Sequence, residues 1–264
     1  MIPKIIHYCW FGRQEKTELV KRCIGSWYQY CPDYRIIEWN EDNCDISSMP
    51  LFVRQAFETE KWSYVTDYIR LKVVHDYGGI YFDTDVEVIR NIDEFLSDKV
   101  FFGIERYSAL VATGLGFGAE QGERFLMELM EVYEEAPLIQ MDGTLDLTPC
   151  PEREACVYDR HGFLRDNTEQ FLDGRIHIYP WEYFSPCDFY TGLVSKKRNT
   201  ASIHWYASSW FTEEQKHQYN RKKVIRRIRR FIVDPVGTRL FGAERYEMLL
   251  TGIKKKVDDW IACL

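Results

Sequence analysis

The sequence has no run of about 20 apolar residues, which excludes a membrane-spanning helix within its 264 residues. Its opening, Met1 to His7, lacks the charged and apolar regions of a secretory signal, so the chain is expected to be cytoplasmic. No Cys-x-x-Cys pair occurs among the eight cysteines at 9, 23, 31, 44, 150, 156, 187 and 263. That spacing argues against a zinc site, and a disulfide framework is not expected in a chain of this size without export. No internal repeat and no low-complexity segment is present. Basic residues are outnumbered, 34 against 41, for a net charge of -7. An acidic chain repels a phosphate backbone, so nucleic acid is not an expected partner.

Aromatic residues, in contrast, are plentiful. They make up 16% of the chain, with 17 Tyr, 16 Phe and 8 Trp. Such rings serve a core, and they also serve a site that holds bases and sugars. Charge is unevenly placed. Residues 213–264 hold 13 basic and 7 acidic residues, so the acidic excess lies wholly before them. The sequence divides accordingly into an α/β domain over 1–212 and a basic helical appendage over 213–264.

Apolar patterning gives alternating elements through the first half. Strands are expected near 5–11, 34–39, 80–82, 86–89 and 100–104. Helices are expected near 16–30, 50–59, 63–77 and 122–135. Gly78-Gly79 forms the glycine stop of the third helix. This alternation predicts an α/β fold with a mixed, mostly parallel sheet. Residues 137–200 mix turn signals with short apolar pieces and give no clear assignment.

The strongest local pattern is Asp67-Tyr68-Ile69-Arg70 followed by Tyr77-Gly78-Gly79-Ile80-Tyr81-Phe82-Asp83-Thr84-Asp85. Asp-x-Asp alone is a common solvated turn. Here it ends a short apolar strand, and if the chain turns there the two carboxylates can converge on a hard divalent cation. Asp67 and Arg70 lie about 60° apart on one face of a largely apolar helix. A charged pair in that setting is costly unless it is paired or working. Thr113 to Gly118 is glycine-rich but lacks the Lys-Ser/Thr of a phosphate loop, and reads as close backbone packing near a donor sugar.

Ser63 to Val86 resembles glycosyltransferase family 32, whose sugar-binding region contains a DXD motif. The opening Ile2 to Gly12 and the late stretch Ser202-Ile203-His204-Trp205-Tyr206-Ala207-Ser208-Ser209-Trp210 are similar to the same family. The resemblance covers about residues 2–105, resumes around 176–211 and is weak elsewhere. It implies a single GT-A-like nucleotide-sugar-binding domain and a metal-dependent hexosyltransferase that retains anomeric configuration. By the same resemblance, Trp10 stacks on the nucleotide base. On the residues themselves, Asp67 is placed either to accept from ribose or sugar hydroxyls or to form a buried salt bridge with Arg70, and Arg70 to donate to a hexose hydroxyl or to Asp83. By the resemblance again, Asp85 is the direct metal ligand, Asp83 is shared between metal and donor, and His204 is a third ligand. Ser208 and Trp210 contact the donor. The implied ion is Mn2+ or Mg2+, and the implied donor is a UDP-sugar. The acceptor is a saccharide, free or lipid-linked, as in bacterial surface polysaccharide synthesis. The family's Gly-Pro element is missing from the middle region, which reads Gly143 to Pro149 here, and that region shapes the acceptor side.

Residues 221–232 alternate basic and apolar positions, so a helix there places Val224, Ile225, Ile228, Phe231 and Ile232 on one face. Such a helix suits either an anionic membrane surface, as in a protein peripheral to the inner membrane face, or packing on the catalytic domain. A metal-dependent phosphohydrolase is the alternative enzyme class. It usually needs more carboxylates or histidines than are grouped here.

Overall fold

The computed structural model describes residues 1–207 and 221–222. The boundary expected at 212/213 and the rest of the basic segment lie outside the described residues. The elements in chain order are β1 (Ile5–Cys9), α1 (Glu18–Tyr30), β2 (Arg35–Trp39), α2 (Leu51–Glu58), α3 (Trp62–Tyr77), β3 (Gly79–Tyr81), β4 (Val86–Val88), β5 (Val100–Gly103), β6 (Phe117–Ala119), α4 (Arg124–Glu134), α5 (Cys150–Arg160), β7 (Gln170–Leu172), β8 (Ile176–Tyr179), α6 (Trp181–Phe184) and β9 (Ser202–His204). Short 3-10 turns occupy Ile46–Ser48, Asp93–Ser97 and Thr113–Leu115.

Seven strands form one sheet in the order β2-β1-β3-β6-β5-β8-β7. β1 runs parallel to β2 and to β3, and β5 runs parallel to β8. β6 is antiparallel to both β3 and β5, and β7 is antiparallel to β8. Within this sheet all strands but β6 and β7 therefore point the same way, as the alternating pattern predicts. The unreadable middle region supplies α5, β7, β8 and α6, so it completes the main sheet. β4 and β9 form a separate antiparallel ribbon.

Strand side chains alternate, and each face of the sheet has its own core. Tyr81, Val100, Phe102, Ile176 and Ile178 join Phe52 of α2, Ile69 of α3, Leu129 of α4 and Val157 of α5. Ile6, Tyr8, Ile80, Phe101 and Tyr179 join Trp27 of α1, Phe184 of α6 and Ile203 of β9. The sheet is thus covered on both faces, which explains why its strands read as short, nearly continuous apolar runs.

Helix ends follow from local chemistry. The Thr17 side chain accepts from Val20 N and caps α1. Gly78 takes φ +66° at the end of α3 and its N–H donates to Val74 O. That turn sends the chain directly into β3. An added Cβ at Gly79 would lie 2.7 Å from the Ile5 carbonyl, so glycine allows β3 to enter beside β1. α1 in turn holds β4. The Trp27 indole N–H donates to Val86 O at 2.9 Å, and Val88 N donates to the Ser26 hydroxyl at 3.0 Å.

Candidate active site

The site lies where β3 leaves the sheet. Val86 N donates to Asp83 O at 3.0 Å, closing the turn that the two carboxylates require. β9 then returns antiparallel to β4 with His204 opposite Val86. This register sets His204 beside Asp85, with Nε2 3.2 Å from Asp85 Oδ1 and 4.0 Å from Asp83 Oδ2. One ligand atom from each of Asp83, Asp85 and His204 falls within a 4.8 Å group. The other Asp85 oxygen accepts from Ala207 N at 2.7 Å, and the Asp85 carbonyl accepts from Trp205 N.

Asp83 and Asp85 are pushed in opposite directions. Burial raises the Asp83 carboxyl, and Arg70 only partly offsets it. Burial also acts to raise Asp85, but the His204 charge and hydrogen bond, with the Ala207 N–H, outweigh it and hold Asp85 below the usual carboxylate range. His204 is raised in return: burial opposes its charge and Asp85 favours it more. His204 Nδ1 is buried without a hydrogen-bond partner.

Behind this triad stands a buried polar layer. Arg70 NH2 is 2.8 Å from Asp67 Oδ1 and 3.4 Å from Asp83 Oδ1, and Arg70 Nε donates to the Thr66 carbonyl at 3.2 Å. Asp67 and Arg70 are therefore paired with each other, one of the two readings that their shared helix face left open. Burial pushes Asp67 up to about 6 against the attraction of Arg70. The Tyr81 hydroxyl donates to Asp83 Oδ1 at 2.9 Å. Gly114 comes so close that an added Cβ would lie 2.4 Å from Asp83 Oδ2 and 3.1 Å from Arg70 NH1. The glycine-rich Thr113–Gly118 stretch is thus packed against the site.

Sequence reasoning missed the next residues out. Thr113 Oγ1 lies 3.5 Å from Arg70 NH1 and 3.3 Å from both oxygens of Glu154 on α5. The Tyr133 hydroxyl of α4 donates to Glu154 at 2.7 Å. Glu154 is fully buried, and burial pushes its carboxyl up to about 8. Its acidic side chain occurs in a polar stretch with no apolar periodicity. The usable signal was Pro149 and Pro151, which flank the first residue of α5.

Trp10 follows the end of β1 and is half-buried. Its indole N–H donates to Gln14 O at 2.7 Å, and Lys16 Nζ lies 5.6 Å from the ring centre. Ser208 and Trp210 lie outside the described residues. A cleft of about 840 Å3 opens elsewhere, lined by Arg90, Glu94, Tyr183 and Lys197 among others, and none of the triad lines it. Arg90 is occupied there by Glu94 and by the carbonyls of Asn91, Asn199 and Thr200.

Among curated proteins, the chain is similar to inositol phosphoceramide mannosyltransferase 3 of Schizosaccharomyces pombe, at 27% identity over 139 residues. That match covers 49% of this chain and 36% of the relative, so the chain spans about a third of that protein's length. Solved structures to which the chain is similar include the PaToxG glycosyltransferase (16% identity, TM-score 0.47, covering 60% of this chain and 68% of that one). Another is a glycosyltransferase involved in glycosylation of the major capsid of PBCV-1 (16% identity, TM-score 0.45, covering 83% and 100%). Residues 17–102 match the family described as glycosyltransferase sugar-binding region containing DXD motif. That region, about a third of the chain, contains Asp83-Thr84-Asp85, and over it the chain is similar to the DXD-motif glycosyltransferases.

Proposed function

We propose that this protein transfers a hexose from a nucleotide-diphosphate sugar to a saccharide acceptor, with a divalent ion held by Asp83, Asp85 and His204. The observation that carries the reading is the convergence of these three side chains at the end of β3. Their donor atoms stand 3.2 and 4.0 Å apart, and neighbouring ligands of an ion bound at about 2.1 Å stand about 3–4 Å apart. The pairing of carboxylates with imidazole suits Mn2+, with Mg2+ as the other candidate. When bound, the ion would offset the negative charge that builds on the departing diphosphate.

The remaining work falls to the chain's own residues. The Ala207 N–H fixes one Asp85 oxygen and leaves the other facing His204. Tyr81 and Arg70 fix Asp83 Oδ1 and leave Oδ2 toward His204. Arg70 brings a permanent positive charge to the edge of the site, where it favours the anionic donor. Asp67 holds Arg70 in place, and the buried position of Asp67 supports that role over direct contact with ribose. Trp10 is the candidate base-stacking residue, and Ser208 and Trp210 remain donor-contact candidates. The resemblance to retaining transferases supports transfer with retention, onto a free or lipid-linked saccharide in surface polysaccharide synthesis. It supports UDP as the nucleotide. The segment 221–232 is proposed to touch an anionic membrane face. Among the described residues no helix is long and apolar enough to cross a membrane.

Calorimetric titration with a panel of nucleotide sugars tests the reading, with and without Mn2+. One donor should bind only with the ion, and Asp85→Ala should abolish that binding. Metal-independent binding, or none, would remove the transferase reading. Release of phosphate from nucleotide or sugar phosphates would then favour the phosphohydrolase.

A further inference from the structure

Glu154 on α5 carries a buried carboxyl that neither the metal nor the donor roles use. Its hydrogen-bond partners among the described residues are two buried hydroxyls. Tyr133 of α4 donates to it at 2.7 Å, and Thr113 Oγ1 lies 3.3 Å from each of its oxygens. The Arg70 guanidinium forms its ion pairs with Asp67 and Asp83 instead. Burying a carboxyl without a cation is costly, so an apolar side chain of the same size would suit this core better. What Glu154 holds in place accounts for its being there.

Cys150 and Glu154 stand four residues apart on α5 and present one helix face to Thr113. Thr113 leads onward to the site by two routes. The first is the guanidinium. Arg70 Nε and NH2 are engaged by Thr66, Asp67 and Asp83. NH1 has only Thr113 Oγ1 at 3.5 Å and Cys150 Sγ at 3.8 Å among the described residues. Of these two the hydroxyl is the stronger acceptor. The second route is the backbone. Thr113 opens the 3-10 turn Thr113–Leu115, and its next residue meets Asp83 directly. The Gly114 carbonyl accepts from Asp83 N at 3.4 Å, and Gly114 leaves no room for a Cβ between itself and Asp83 Oδ2. One hydroxyl thus connects a carboxyl of α5 with both sides of Asp83.

We propose that Glu154 is a positioning residue of the transfer site, which through Thr113 holds the Arg70 guanidinium and the Gly114 turn against Asp83. The proposal deepens the transferase reading and rests on it. Glu154 is itself tied to α4 by Tyr133, so two helices that supply no metal ligand orient a carboxylate at the end of β3. Without the Thr113 hydroxyl, Arg70 NH1 is left with sulfur alone, and a buried guanidinium N–H that loses its oxygen acceptor turns toward another. Asp83 Oδ1 then keeps only the Tyr81 hydroxyl. A carboxyl that merely filled the core would affect unfolding and leave binding at the metal site alone.

Calorimetry of the full chain with UDP, and with GDP in parallel, in the presence of Mn2+ tests it, with thermal unfolding measured alongside. Thr113→Val loses the hydroxyl and keeps the branched shape. Glu154→Met loses the carboxyl and keeps an unbranched, adaptable side chain. Each should weaken Mn2+-dependent binding about ten-fold, the scale of one hydrogen bond to a charged group. The double variant should also lose about ten-fold rather than about a hundred-fold, because both changes break one chain of contacts. Thr113→Ser and Glu154→Gln, which keep a hydroxyl and a hydrogen-bonding amide, should stay within about three-fold of the unaltered chain. Tyr158→Phe removes a buried hydroxyl that has no partner among the described residues from the same helix, and should leave binding unchanged. Binding within about two-fold in both Thr113→Val and Glu154→Met, or losses that multiply in the double variant, overturns the proposal. So does damage from Glu154→Gln equal to that from Glu154→Met. If one of the two variants fails to fold, the other decides when read against its conservative partner. If the unaltered chain binds a nucleotide with Mn2+ and the variants bind it as well, only the positioning role falls. If the unaltered chain binds neither nucleotide, the transferase reading itself falls.

Discussion

Arg70 shows how one side chain can organise a site. Its guanidinium serves the Thr66 carbonyl, Asp67, Asp83 and Thr113 from a fully buried position. A lysine keeps the charge but has a single nitrogen and no planar fork, so it cannot reach these partners together. Arg70→Lys should lower transfer roughly 100-fold. It should also cost about 1–3 kcal/mol of stability, because Asp67 is left in a buried site with a poorer partner. Rates with the best donor and urea unfolding would check both, and an unchanged rate would show that the fork is not needed. The shared helix face of Asp67 and Arg70 was legible in their three-residue spacing, while their pairing with each other was one of several readings it allowed. The contributions of Tyr81 and Glu154 were not. Tyr81 reads as an apolar strand residue, and only the turn after β3 reveals that its hydroxyl reaches Asp83.

Among the elements, the glycine-rich turn before β6 sets how tightly the site is closed. Gly114 faces Asp83 Oδ2 and Arg70 with no room for a methyl group. Gly114→Ala should push the Asp83 carboxylate off its position and weaken metal-dependent donor binding more than ten-fold. The fold should survive, since the adjustment falls on side-chain ends. Calorimetry with Mn2+ reads the first effect and thermal unfolding the second; donor affinity within two-fold of the unaltered chain would refute the packing argument. The helices before β6 and the strands β1 to β5 were legible because each has a clear period and a clear stop, such as Gly78-Gly79 after α3. β7 and β8 were not. They are three and four residues long, and Phe171 on β7 is exposed, so neither offers enough alternation to read. β8 takes its place in the sheet by pairing with β5 and β7 by pairing with β8, which sequence pattern does not encode locally.

At the level of the whole molecule, two buried groups give stability opposite pH dependences. His7 is neutral: the Trp39 indole N–H donates to Nδ1, and Nε2 donates to the Gly78 carbonyl. Burial lowers its pKa to about 4. Its contribution is present above the unfolded value near 6.5 and is lost as pH falls through about 4. Glu154 is raised, so its contribution is full below about 4.5 and is lost as pH rises through about 8. The two oppose each other between those unfolded values, and above about pH 6.5 the Glu154 slope stands without that opposition. Glu154→Gln keeps the volume and a hydrogen-bond partner for Tyr133, and should flatten stability between pH 6.5 and 8 by up to about 1.4 kcal/mol per pH unit. Urea unfolding across that range measures it, and an unaltered slope would mean that Glu154 is ionised in the fold. The ribbon of β4 and β9 carries a consequence of another kind. Ala207 reaches back to Asp85 across 122 residues, closing the site with the last described strand of the domain. A growing chain still on the ribosome therefore has no complete triad until His204 has emerged, and no Ala207 N–H to hold Asp85 until three residues later. Before that moment the proposed metal site is incomplete, however much of the sheet has already formed.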